Sequence, residues 1–360
     1  MMAEAPIEIR TRDGAALTLR RLGSSACQGV VLLIHGASAS SDTFLVPDGG
    51  LAAALRKAGW EVWLLDWRGS CRHTRDPEAK MSGNFDAVAR YDLPMAIEVV
   101  RRLSGQARIP VVAHCIGAAC LSASIARRWT QPSWLGAVTL TTIGLFFRSS
   151  VDNFLKAEDG ILERVVAGDP ELPGIDANSS AWPAELALAY RAWPGSWLPN
   201  GGAPAHEVLR RLTFLYGAPC APTAVTSEVL AQLPQLFGPL LMDLFVHAGQ
   251  CVRRGHLAPF DADETPFADQ SYLMAEPFRE LKTTLITGKD NHLWHRGSVD
   301  EMYEWLRNEG CQRLHKYVVP GYGHQDLLWG PHANRDIYPL IRGAIEATPV
   351  VRAQPLGDVA

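Results

Sequence analysis

No two cysteines stand at Cys-x-x-Cys spacing anywhere in the 360 residues, and the seven present are odd in number. Cys27, Cys71, Cys115, Cys120, Cys220, Cys251 and Cys311 are scattered. That argues against a disulfide framework and against a structural zinc site. Long apolar runs are missing too: the best, Phe237 to Val246, is short and holds Asp243, so no membrane span is expected. Strong charge is absent as well. A formal net charge of −4 gives no electrostatic case for nucleic acid or an anionic membrane as partner. Met1 to Arg10 lacks a basic stretch followed by an apolar one, so a signal peptide is not expected and a cytoplasmic location is. Oligomeric state is left open.

What is there is a rhythm. Segments Ile7–Arg12 and Ala16–Arg21 flank Asp13-Gly14, a hairpin signal. Val30-Val31-Leu32-Leu33-Ile34 is an unbroken apolar run that suits a strand buried on both faces. A helix is expected over Leu51–Ala58, a strand over Glu61–Asp66 and a helix over Leu93–Leu103. A strand over Pro110–Ala113, a helix over Ile116–Trp129 and a strand over Gly136–Thr141 follow. Such alternation implies βαβ units and a mostly parallel sheet, an α/β fold.

The rhythm stops after Gly144. Val151–Val166, Ala184–Trp193, His206–Leu215 and Ser227–Val252 read as helices with no convincing buried strand. It resumes with strand Thr283–Thr287, helix Val299–Asn308, strand His315–Val319 and a last helix Arg335–Ala347. The expected organisation is an α/β core over 1–145 and 283–350, with a large helical cap over 146–282 inserted after the sixth strand. A cap in that place would cover the carboxyl ends of the strands, where such sheets bind ligands. Trp182, Trp193, Trp197, Phe214, Tyr216, Phe237 and Phe245 either build the cap's own core or line an apolar acyl pocket.

The segment Ala113-His114-Cys115-Ile116-Gly117 joins strand to helix by a tight turn. In that geometry the central residue is strained, and small residues are needed two before and two after it, as Ala113 and Gly117 are. The central residue is Cys115, a nucleophile at a helix N-terminus, where the dipole would favour the thiolate. His324, in the turn-rich Pro320-Gly321-Tyr322-Gly323-His324 after the last strand, is the expected general base. Asp290, two residues past Gly288, is favoured as the residue orienting His324. Asn291 stays open beside it, since Cys-His-Asn arrangements also work. The N–H groups of Ile116 and of Ala37, after His35-Gly36, are the expected oxyanion hole. His114 is expected to point away from the nucleophile, and His292 and His295 lack partners for a metal. No metal and no cofactor are expected.

These markers, His35-Gly36, Asp66-Trp67-Arg68-Gly69, the turn at Cys115 and Gly323-His324, resemble the α/β-hydrolase superfamily over nearly the whole chain. Leu212 to Gly217, His247-Ala248-Gly249-Gln250 and Pro320 to Asp326 are similar to the hydrolase-like domain fused to cholesterol-oxidase-type flavoproteins. No flavin-binding half is expected here, so the resemblance carries no oxidase activity. The cysteine resembles that of polyhydroxyalkanoate synthases and dienelactone hydrolases, and the synthases transfer acyl groups from thioesters. The expected function is hydrolysis of an ester, thioester or lactone with a hydrophobic acyl group, through acyl-Cys115. Acyl transfer to an amine or alcohol stays open, and so does a non-catalytic binding protein. The expected partner is a hydrophobic small-molecule or acyl-carrier-bound substrate.

Overall fold

The apolar run at Val30 sits in the middle of a sheet covered on both faces, because no side of it offers water a polar group. The computed structural model describes residues 5–23, 28–74, 83–169, 172–193, 207–221, 225–260 and 271–346. Its strands are β1 (Ile7–Arg10), β2 (Ala16–Leu22), β3 (Gly29–Ile34), β4 (Trp60–Asp66), β5 (Ile109–His114) and β6 (Leu135–Thr141). Further on come β7 (Gly174–Ile175), β8 (Leu240–Leu241), β9 (Lys282–Gly288) and β10 (Leu314–Val319). Eight of them form one sheet in the order β1-β2-β4-β3-β5-β6-β9-β10. The first two pairings, β1 with β2 and β2 with β4, are antiparallel; all the others are parallel.

Every residue of β3, β4 and β5 is buried, including Glu61, which accepts from the Trp63 indole at 2.7 Å and pairs with Arg21 at 2.8 Å. The chain leaves β3 to one side for β4 and returns to its other side for β5. A crevice opens at the carboxyl ends where the winding reverses, between β3 and β5. Ala37 follows β3 and Cys115 follows β5, so both stand at its rim.

Among the described residues between β6 and β9 the chain is mostly helical: Val151–Asp159, Ile161–Gly168, Ala184–Ala192, Glu207–Tyr216, Ser227–Leu236 and Met242–Arg254. Two of the expected helices are broken. Gly160 takes φ 66°, closing the first helix before Ile161 opens the next. Gly238-Pro239 interrupts the long apolar stretch, since the residue before proline is pushed out of the helical region. The chain then extends through β8, which pairs antiparallel with β7 in a ribbon the sequence did not suggest. The last expected helix is also split, into Ala333–Asp336 and Tyr338–Glu346, because Pro339 cannot donate to the turn behind it.

Candidate active site

Cys115 has φ 55° and ψ −133°, a conformation that L residues rarely hold, and its own N–H donates to the Thr141 carbonyl at 3.1 Å. The crowding around it explains its neighbours. A Cβ on Gly117 would lie 2.3 Å from the His35 carbonyl oxygen, and one on Gly36 would lie 2.7 Å from Cys115 Cβ. Glycine at both places is a steric necessity. The turn puts the sulfur against the N–H groups of Ile116 and Ala37, and the Trp294 indole N–H faces it without closing a hydrogen bond. Helix position alone predicts a thiolate. Burial outweighs it and pushes the Cys115 thiol up to about 11, despite those donors.

His324 is delivered by a loop held at both ends. Gly323 N–H donates to Asp326 Oδ2 at 2.7 Å, and Gln325 N–H to the Pro219 carbonyl at 2.7 Å. The loop passes so close to the end of β9 that a Cβ on Gly288 would lie 2.1 Å from the Tyr322 carbonyl. The imidazole is fully buried and packs on His114, with ring centroids 4.9 Å apart. His114 therefore packs against His324. Its Nδ1 lies 2.8 Å from Thr141 Oγ1. Burial first, and His114 second, hold His324 well below the ordinary histidine range.

The carboxylate expected to orient His324 is elsewhere. Asp290 Oδ2 accepts from Gly321 N–H at 2.9 Å, half-buried on the outer side of the loop. Asn291 takes the place instead, buried, with Nδ2 3.3 Å from His324 Nδ1. The reason is backbone direction: Asp290 N–H is bound to the Tyr322 carbonyl, which turns that residue outward and the next one in. Asn291 Oδ1 accepts from Leu293 N–H and Trp294 N–H, each at 3.1 Å.

Cys115, Ala37, Ile116, Trp294 and His324 line a cavity of about 110 Å³. Its other walls are the helical segment: Phe214, Tyr216, Phe237, Leu244, Phe245 and Val252 among them. Four polar side chains interrupt this lining, Asn153, Lys156, Tyr216 and Gln325, and the first two are committed to the end of the helix Glu207–Tyr216. Asn153 donates to the Tyr216 carbonyl at 2.6 Å, and Lys156 Nζ donates to that of Phe214.

A sequence model described as the α/β-hydrolase fold matches residues 29–177. Human gastric triacylglycerol lipase is 32% identical over 125 residues, a match covering 31% of this chain and 31% of that protein. The match thus spans about a third of the relative. A lipase in its open form superposes with a TM-score of 0.63 at 17% identity, over 95% of this chain and 98% of its own. A thermostable carboxyl esterase from Bacillus coagulans, in complex with glycerol, does so at 0.61 and 15% identity, over 96% and 98%.

The chain has the α/β-hydrolase fold.

In the α/β-hydrolase fold the strand-to-helix turn after β5 is the nucleophile elbow, and here cysteine stands on it. Of the expected pocket aromatics, Phe214, Tyr216, Phe237 and Phe245 line the cavity. Trp182 stacks behind it on Phe214 and Trp193 meets that ring edge-on, at centroid distances of 5.9 and 5.7 Å, and Trp197 lies outside the described residues. Trp294 went unnoticed in the sequence, where Leu293-Trp294 reads as any apolar pair in a loop. Among the described residues no three His, Cys, Asp or Glu side chains gather as a metal site, and no helix is long and apolar enough to cross a membrane.

Proposed function

We propose that this protein hydrolyses esters or thioesters with an apolar acyl group, carrying that group on Cys115. The observation that carries this reading is the elbow sulfur against the Ile116 and Ala37 N–H groups in an apolar cavity. His324 takes the thiol proton as the sulfur attacks the acyl carbon. The oxygen that becomes negative is held by the N–H groups of Ile116 and Ala37, which cost no reorganisation because they are backbone. The leaving alcohol or thiol collects the proton from His324. Water then attacks the acyl-Cys115, with His324 again as base. The similarity to a triacylglycerol lipase and to a carboxyl esterase supports ester chemistry.

Cysteine in place of the usual serine, in a cavity walled by aromatic and aliphatic side chains, favours a second reading: transfer of the acyl group to an amine or alcohol. Mass spectrometry after exposure to p-nitrophenyl esters of graded chain length tests both. An acyl adduct on Cys115, absent from Cys115→Ala and from Cys120, is expected, with turnover in the variant down by several orders of magnitude. Adducts spread over the cysteines would remove the proposal. Free acid that falls as added amine rises would favour transfer over hydrolysis.

A further inference from the structure

The proton relay through His324 needs a lone pair on Nε2, the ring nitrogen on the far side from Asn291. Whether one is there depends on what Asn291 presents to Nδ1. The Asn291 carbonyl is already spoken for, since Oδ1 accepts from both Leu293 N–H and Trp294 N–H at 3.1 Å. Turning the amide over would set its NH₂ against those two backbone N–H groups, donor against donor. The amide therefore faces the imidazole with its NH₂, at 3.3 Å, and Nδ1 must accept. A neutral imidazole that accepts at Nδ1 carries its proton at Nε2. Nε2 is buried and has no partner.

No other group corrects this. Asp290 Oδ2 accepts from Gly321 and Asp326 Oδ2 from Gly323 and Ala221, while the buried Asp326 Oδ1 and Gln325 Oε1 have no partner and so neither is bonded to the ring. The ring that does touch His324 is His114, which, like burial, disfavours a positive charge on His324. Around the Cys115 sulfur stand the N–H groups of Ile116 and Ala37 and the Trp294 indole. The groups at the sulfur are thus donors, and a protonated Nε2 cannot take its proton.

We infer that Asn291 is a positioning residue that holds His324 in the Nε2–H form, so that Cys115 and His324 rest as a neutral, uncoupled pair. The thiol gives up its proton only when the amide turns over and breaks both of its backbone hydrogen bonds. Asn291 thus throttles acylation at a site otherwise assembled for it. An aspartate at this position would keep one oxygen on the Leu293 and Trp294 N–H groups and place the other on Nδ1–H. That moves the proton to Nδ1 and frees Nε2. The effect on rate rests on the acyl-Cys115 reading; the tautomer does not.

The test is nitrogen NMR of isotopically labelled histidine in the full chain, with the His324 signals identified by their loss in His324→Gln. The wild type is expected to show Nε2 protonated and Nδ1 bare, and Asn291→Asp the reverse. In Asn291→Asp, kcat/KM for a p-nitrophenyl ester should rise at least tenfold. The acidic limb of its pH profile should move upward, because the new carboxylate makes the imidazole easier to protonate. A wild type protonated at Nδ1 overturns the inference without any variant, and so does a folded Asn291→Asp that acylates more slowly. If the tautomers behave as stated but Cys115 is never acylated in either protein, the hydrolase reading fails and the tautomer assignment stands.

Discussion

At Gly117 the free space is smaller than a methyl group. With the His35 carbonyl 2.3 Å from where a Cβ would be, Gly117→Ala must shift the elbow against the strand beside it. The expected cost is about 2–4 kcal/mol in a urea titration, together with loss of acylation. Gly343 offers the opposite case. It is exposed in the helix Tyr338–Glu346 with nothing within 4 Å of a built Cβ. Gly343→Ala should stabilise by about 0.5–1 kcal/mol, because alanine loses less backbone freedom in a helix. Asp290→Asn should leave turnover within a few-fold of wild type, since that carboxylate caps Gly321 rather than orienting His324. Asp290 and Asn291 also mark where reading the sequence stops. Both are short and polar and both follow the same strand, and only the bond from Asp290 N–H to Tyr322 decides which faces inward. The elbow was legible for the opposite reason: small, nucleophile and small at fixed spacing is a local steric demand.

Among elements, the helix Glu207–Tyr216 does two jobs through one side chain. Phe214 forms part of the cavity wall and is the surface on which Trp182, Tyr190 and Trp193 pack from behind. Phe214→Ala should cost about 3 kcal/mol of stability and leave extra room beside the acyl chain. The ratio of kcat/KM for a branched or aromatic acyl ester over a straight-chain one should therefore rise. An unchanged ratio would show that the acyl group does not reach this wall. The helical character of this stretch was readable, because its apolar residues recur at helical spacing. Its breaks were readable only in hindsight: Gly160 and Gly238-Pro239 end helices here, whereas Pro234 is carried inside one. Which of these residues interrupts a helix is settled by packing. The same holds for the thiol of Cys115. The helix N-terminus visible in the sequence favours the anion, and the buried surroundings, which no local pattern reveals, disfavour it more.

For the whole molecule, buried imidazoles set the response to acid. Burial lowers His35 to about 4 and His114 to about 3, and holds His324 well below the ordinary range. Each is neutral in the folded chain and free to protonate in the unfolded one. Their contribution is fully present above about 6.5 and is lost as pH falls toward the folded values, by up to about 1.4 kcal/mol per pH unit for each proton. Asp92 and Asp326 work the other way. Burial raises each to about 6, so their contributions are present below the ordinary carboxylate range and lost as pH rises through 6. Three histidines against these two carboxylates leave a small net fall, so the urea midpoint should drop modestly from pH 6.5 to 4. A His114→Gln variant should show a shallower drop. A flat profile in the wild type would mean that these rings gain protons without unfolding.

The fit of Asn291 between two backbone N–H groups and an imidazole has a consequence for descent. A carboxylate has the same outline as the amide, so nothing in the backbone need move to receive it. Asparagine and aspartate codons differ by one base, and so do those of cysteine and serine. A lineage carrying this scaffold lies a short mutational walk from a Ser-His-Asp hydrolase, and each step would pass through a protein that still folds.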